Sequence, residues 1–186
     1  MYRSKAGWDE DKMKKRVWRE GESVILVGMP GAGKSTVGRL LAERMGYGFV
    51  DTDRLIETVA NCSLQDIVDR EGYEALRRME EKILLEFDPR RVIVATGGSA
   101  VYSEKAMKHV RTKGVIVFLD VNLATLEQRI RDFATRGISM RPRQRFEDLF
   151  CERYPLYEKY ADLKIENSQK TPSEAVQEIL DSLDYF

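Results

Sequence analysis

The chain has 186 residues, enough for one well-buried core and one domain. Lys plus Arg equals Asp plus Glu at 31 each, so no global charge draws it to nucleic acid or to a membrane surface, and any basic site must be local. Cys62 and Cys151 lack metal-site spacing and suit a reduced compartment, His109 is the only histidine, and no apolar run reaches the length of a membrane span. These features argue against a catalytic triad and a His-based metal centre, and they lead us to expect a cytoplasmic protein.

Residues 1–20 are polar and charged, with Lys12, Lys14, Lys15 and Arg16 between Trp8 and Trp18, and without the apolar core of a signal peptide. They read as an N-terminal extension, either a mobile arm or a short helix packed on the domain. From residue 21 to 186 strand and helix patterns alternate as one domain. Residues 23–27 (Ser-Val-Ile-Leu-Val) have strand character. The run Gly28-Met29-Pro30-Gly31-Ala32-Gly33-Lys34-Ser35-Thr36 then matches G-x-x-x-x-G-K-[ST] at every fixed position. A helix pattern over 36–45 follows, which supplies the strand–loop–helix context that the motif requires. Strand 48–51 ends in Asp51, a helix is expected over 54–60, and Ser63 with Asp66 forms a capping box opening a short helix. Ala75, Leu76, Met79, Ile83, Leu84 and Phe87 make the apolar stripe of a helix over 73–87. Strand 91–96 leads into Gly97-Gly98-Ser99, and strand 115–119 into Asp120. Leu123, Leu126, Ile130 and Phe133 mark another helix. The basic segment 134–146, with Arg136, Arg141, Arg143, Arg145, Gly137 and Pro142, reads as a lid. Pro155 should kink or end a helix, and strand 162–166 precedes a last helix carrying Ala175, Val176, Ile179, Leu180 and Leu183. Three continuous apolar strands alternating with helices predict a three-layer α/β domain with a five-stranded parallel sheet.

Ligands gather at the carboxyl ends of such strands. The glycines of 28–36 let backbone amides approach an anion, and the helix behind adds its positive end. Lys34 is placed to reach the β- and γ-phosphates of a nucleotide, and the Ser35 hydroxyl to hold magnesium. Asp51 and Asp53, two apart on an extended segment, can share one side as a metal-holding and an acceptor-positioning carboxylate. The competing reading is a helix cap. Strand 115–119 with Asp120 imitates the strand-plus-acid that holds magnesium in most P-loop proteins, which makes Asp120 a minor candidate.

Taken in order over about residues 23–181, the phosphate loop, Asp51-Thr52-Asp53, Arg77-Arg78-Met79-Glu80, Gly97-Gly98, Arg141-Pro142 and Arg153-Tyr154-Pro155-Leu156-Tyr157 resemble the shikimate kinase family. The resemblance implies a P-loop kinase fold of strand order 2-3-1-4-5 with a lid, and transfer of the γ-phosphate of ATP to the 3-hydroxyl of shikimate. It implies that Asp53 contacts the reacting hydroxyl and that Asp51 and Ser35 support Mg2+. Arg77 and Arg153 would grip the substrate carboxylate, and Gly97 and Gly98 would contact ring hydroxyls through their backbone. ATP would meet Gly31, Ala32, Gly33, Lys34, Ser35 and Thr36, with Arg129 and Pro172 near adenine and Arg141 as the lid arginine. Lys34, Asp53 and Arg141 would be the catalytic groups, in a monomer that needs no nucleic acid or membrane. This chain departs from the family at Ser99, where a third glycine is usual, and in the lid, where Arg143-Gln144-Arg145 follows Arg141-Pro142. Both departures touch substrate fit, and Ser99 adds a Cβ and a hydroxyl where the acceptor ring should lie. Two other readings stay open at this point: a kinase of another small hydroxy acid or sugar acid such as gluconate, and a non-catalytic nucleotide-binding module.

Overall fold

A computed structural model describes residues 18–88, 90–130 and 137–184. In chain order the elements are β1 (Ser23–Val27), α1 (Lys34–Met45), β2 (Gly48–Asp51), α2 (Thr52–Ala60), α3 (Leu64–Glu71), α4 (Tyr73–Glu86) and β3 (Val92–Ala95). A 3-10 turn (Ala100–Tyr102), α5 (Glu104–Lys113), β4 (Gly114–Asp120), α6 (Leu123–Arg129), α7 (Phe146–Tyr160), β5 (Leu163–Glu166) and α8 (Pro172–Asp184) complete the domain. The five strands form one sheet in the order β2-β3-β1-β4-β5, and every neighbouring pair is parallel. The expected sheet and strand order are therefore present.

Burial explains which strand goes where. All of β1 and nearly all of β4 are buried, so their continuous Val/Ile/Leu runs belong in the middle of the sheet. The edge strands β2 and β5 carry exposed or half-buried residues instead. Parallel strands need right-handed crossovers. The chain moves from β1 to β2 in one direction across the sheet and from β2 through β3 to β4 in the other. That reversal puts α1 on one face and α4 and α5 on the other, with α8 packed against α1. It also opens a crevice at the carboxyl ends of β1 and its neighbours, where a ligand can enter.

Two expectations are revised. α2 begins at Thr52 rather than 54, because the Asp51 side chain accepts a hydrogen bond from the Asp53 amide and caps it. The cap and the site residue are thus one group. α7 does not end at Pro155; it continues to Tyr160, with Arg153, Tyr157 and Tyr160 on its buried face. Packing there outweighs the missing amide donor. The Ser63–Asp66 capping box is present. Trp18 packs on the core, its indole N–H donating to the Glu22 carbonyl at 3.3 Å. The readings made for residues 1–17, Phe133 and 134–136 lie outside the described residues.

Gly114 pairs with Ser23 where β4 starts beside β1. A Cβ there would run into the Ser23 carbonyl and come within 2.9 Å of the Ile25 side chain. Gly114→Ala should therefore cost on the order of 3 kcal/mol through overpacking. Thermal unfolding should show a midpoint fall of roughly 5–10 °C; an unchanged midpoint would contradict the close approach of these two strands.

Candidate active site

A cavity of about 640 Å³ opens at the carboxyl ends of β1, β2 and β3. Its floor is the phosphate loop, in which Gly28, Gly31 and Gly33 take φ values of 149°, 82° and 93° that L side chains rarely adopt. Space imposes glycine as well, since a Cβ at Gly31 would sit 2.8 Å from Ile130 Cγ1. α1 starts directly after Gly33, without a side-chain cap and without an acidic residue in its first turn. Its N-terminal amides and the positive end of its dipole therefore face the cavity, which suits an anion. The Lys34 ammonium folds back over the loop and donates to the carbonyls of Gly28 (2.8 Å) and Met29 (3.0 Å). Burial lowers its pKa to about 8, opposed by the charges of Asp53, Glu80 and Asp51.

Asp51 and Asp53 sit in different environments. The Ser35 hydroxyl donates to Asp51 Oδ2 at 2.6 Å, which joins the phosphate loop to the end of β2. Among the described residues no group of three or more His, Cys, Asp or Glu forms a metal cage. Ser35 and Asp51 nonetheless present hard oxygen donors beside the phosphate loop. That set fits Mg2+, which uses few protein ligands and arrives with phosphates and water. Asp53 sits deeper: burial raises its pKa to about 6, against the pull of Lys34.

A third carboxylate completes the cluster. Glu80, from α4, is 2% exposed, and burial followed by repulsion from Asp53 raises its pKa to about 7. The Ser99 hydroxyl donates to Glu80 Oε2, while Oε1 is buried without a hydrogen-bond partner among the described residues. Gly97 makes room for this pair, because a Cβ there would press on Glu80 Oε1 and lie 2.5 Å from Asp53 Oδ1. Its amide donates to the Thr52 hydroxyl at 2.9 Å, so Gly97 contributes space rather than a free N–H. At Gly98 a Cβ would meet Arg153 Nη1 at 2.9 Å, and the Gly98 carbonyl accepts from the Tyr157 hydroxyl at 2.7 Å. Ser99 therefore does not aim its hydroxyl into acceptor space as the sequence suggested; Glu80 captures it.

Arg153 is 1% exposed, yet no carboxylate lies within ion-pairing distance of it among the described residues. Its Nη2 donates to the Ser139 carbonyl at 2.6 Å and its Nε to the Tyr102 hydroxyl at 3.3 Å. Arg77 donates from Nε to the Ser139 hydroxyl at 3.0 Å, stacks 3.7 Å from the Tyr102 ring centre, and leaves Nη2 buried without a hydrogen-bond partner among the described residues. Burial lowers the Arg77 pKa, and the charge of Arg153 adds to that shift. Arg77 borders a smaller recess beside the main cavity rather than the cavity itself.

The remaining expected residues divide between the cavity and its surroundings. Gly31, Gly33, Thr36, Arg129 and Pro172 line the cavity, and Arg129 donates to the carbonyls of Asn167 and Ser168 at 3.0 and 3.1 Å. Ala32 is buried behind the loop, its carbonyl accepting from Asn167 Nδ2 at 2.9 Å. Arg141 lies outside the cavity wall, exposed and 3.3 Å from Glu152. Asp120 ends a strand next to β1 but is not a metal candidate in this arrangement. Its carboxylate accepts from Tyr154 and pairs with Lys164 at 3.1 Å. Sequence reasoning assigned no role to Glu80, Tyr102, Ser139, Tyr157 or Asn167. Glu80 had a signal, since it lies one helical turn beyond Arg77 on a helix packed near the loop; Ser139 and Tyr102 had none.

Comparison with known proteins agrees with this geometry. The family model described as shikimate kinase matches residues 30–184. Shikimate kinase of Synechococcus sp. (strain CC9902) is 38% identical over 167 residues, 88% of this chain and 86% of that protein. The structure of shikimate kinase from Acinetobacter baumannii in complex with shikimate superposes with a TM-score of 0.82 at 31% identity, over 89% of this chain and 94% of that one. Shikimate kinase from Aquifex aeolicus follows with a TM-score of 0.74 at 32% identity, covering 87% and 96% of the two chains. With this match over most of its length, laid on a phosphate loop, an acid pair and a buried arginine in the expected places, the chain belongs to the shikimate kinase family.

Proposed function

We propose that this chain transfers the γ-phosphoryl group of ATP to the 3-hydroxyl of shikimate, giving ADP and shikimate 3-phosphate. The observation that carries the reading is Arg153. A guanidinium buried to 1% exposure, whose hydrogen-bond partners among the described residues are all neutral, is costly unless an anion joins it. The carboxylate of the acceptor is that anion, shared with Arg77 across Ser139. This anchors the acceptor so that its hydroxyl points toward Asp53 and the phosphate loop.

In the transfer, the acceptor oxygen bonds to the γ-phosphorus as the bond from that phosphorus to the β,γ-bridging oxygen breaks. The hydroxyl proton passes to Asp53, and ADP leaves with the bridging oxygen. Little covalent work falls to the protein, so position and charge dominate. Lys34 moves its donors from the Gly28 and Met29 carbonyls to the β- and γ-phosphates. Ser35 and Asp51 hold Mg2+, which supplies neutralisation of phosphate charge when bound. Arg141 joins as the lid cation by exchanging Glu152 for phosphate. A non-catalytic module has no use for an acid with the raised pKa of Asp53 next to the phosphate loop. A gluconate-like acceptor offers the same carboxylate, but membership of the family favours shikimate.

The proposal extends to a monomer, with 21–186 as a single kinase domain. ATP as donor and free Cys62 and Cys151 fit a cytoplasmic site of action.

ADP release measured with and without shikimate tests the whole reading; turnover independent of shikimate would overturn it. Asp53 acts as a carboxylate and its raised pKa favours the protonated form, so kcat/KM should fall as pH drops through about 6. Asp53→Asn should lower kcat by about 100-fold or more and remove this acid limb while leaving ATP affinity nearly unchanged. A limb that persists in the variant assigns it to another group. Arg153→Ala should raise the shikimate KM roughly 30–100-fold, the loss of charge-assisted hydrogen bonds, with the ATP KM nearly constant. An effect confined to ATP would contradict the carboxylate anchor.

A further inference from the structure

Tyr102 closes the 3-10 turn that follows Gly97-Gly98-Ser99, and the turn is stitched to the end of β3. The Ala100 amide donates to the Gly97 carbonyl at 3.4 Å and the Tyr102 amide to the Ser99 carbonyl at 3.0 Å. The ring is thereby tied to the same segment that shapes the acceptor side of the cavity. Its face lies 3.7 Å from the Arg77 guanidinium carbon. Its hydroxyl accepts from Arg153 Nε at 3.3 Å and donates to Glu152 Oε1 at 2.8 Å. Ser139 holds the two arginines from the lid side; Tyr102 holds them from the sheet side.

The chemistry of the holder matters. A carboxylate at this place would fix both guanidiniums more tightly, but it would neutralise the charge that a ligand needs. A ring face orients a guanidinium through its quadrupole, and a phenol does so through one hydrogen bond. Neither brings a formal charge. Glu152, the acid within reach, is set one step away: Tyr102 takes one hydrogen bond to it, Gln144 another at 2.9 Å, and Arg141 pairs with it at 3.3 Å. The two arginines oppose each other's charge, and they stay aligned with no carboxylate in ion-pairing distance among the described residues.

We propose that Tyr102 is the positioning residue that aligns Arg77 and Arg153 for the acceptor carboxylate, and so sets the preference of this kinase for an acid over its neutral analogue. The inference rests on the carboxylate-anchor reading given above and adds the residue that makes the anchor work. Tyr102 borders the smaller recess and does not line the main cavity. Its loss acts through the two guanidiniums.

The test is steady-state kinetics with shikimate and with its methyl ester, in which the carboxylate is masked, for the wild type, Tyr102→Ala, Tyr102→Phe and Arg153→Ala. Tyr102→Ala should raise the shikimate KM about 10-fold with kcat nearly constant, and leave the efficiency on the ester close to wild type. The acid-to-ester preference should then shrink by the same factor. Tyr102→Phe keeps the ring over Arg77 and loses the bond from Arg153, so it should fall between wild type and alanine. It also supplies the readout if the alanine variant folds poorly. Equal losses on acid and ester, or an unchanged preference, would overturn the role of Tyr102. If Arg153→Ala lowers the preference while both Tyr102 variants keep it, the anchor stands and the Tyr102 inference fails. If Arg153→Ala also keeps it, the anchor itself fails.

Discussion

The structure depends on charge held out of water without full compensation. Lys34, Asp53, Glu80 and Arg153 converge on one cavity, and burial is the largest influence on the first three. An unpaired buried charge costs several kcal/mol in a real protein. The rest of the fold works to make that arrangement tolerable. The central strands β1, β3 and β4 supply a rigid apolar block, and the turns at their carboxyl ends place the charged groups. Neutral partners hold them there: backbone carbonyls for Lys34, Ser99 for Glu80, and Ser139 and Tyr102 for Arg153.

This has a consequence for stability. Asp53 and Glu80 both have folded-state pKa values above those of free carboxyls. The folded form therefore binds protons more readily than the unfolded chain. Their contribution to stability is complete below the ordinary carboxylate pKa of about 4 and is lost as pH rises through about 6 and 7. At neutral pH, where the proposed transfer would use Asp53 ionised, the site is at its most costly. Bound phosphate, Mg2+ and acceptor carboxylate would each relieve part of that cost. Such opposition of stability and activity is usual where a protein keeps charge poised for a ligand.

Much of this was legible in the sequence, because local chemistry dictates it. A strand, a glycine loop with Lys34 and Ser35, and a helix can be read from neighbours alone, and so can Asp51 and Asp53. The sheet order followed from a family resemblance whose motifs recur in sequence. What escaped were contacts made across the fold. Pro155 reads as a helix breaker, yet the buried faces of Arg153 and Tyr157 carry α7 through it. Ser99 reads as an intrusion, and only the approach of α4 shows that Glu80 takes its hydroxyl. Asp120 imitates a metal acid, but Tyr154 and Lys164, both distant in sequence, turn it away. Arg141 is legible as a lid arginine, but not its pairing with Glu152. Tyr102 and Ser139 carry no motif at all; their importance lies in which arginines they touch.

The most direct measurement is a crystal structure of this protein with shikimate and MgADP. The account predicts the acceptor carboxylate between Arg77 and Arg153, and the 3-hydroxyl within about 3 Å of an Asp53 oxygen and facing the phosphate loop. A carboxylate seated elsewhere, with Arg153 still held only by Ser139 and Tyr102, would contradict the claim that buried uncompensated charge is what selects the substrate.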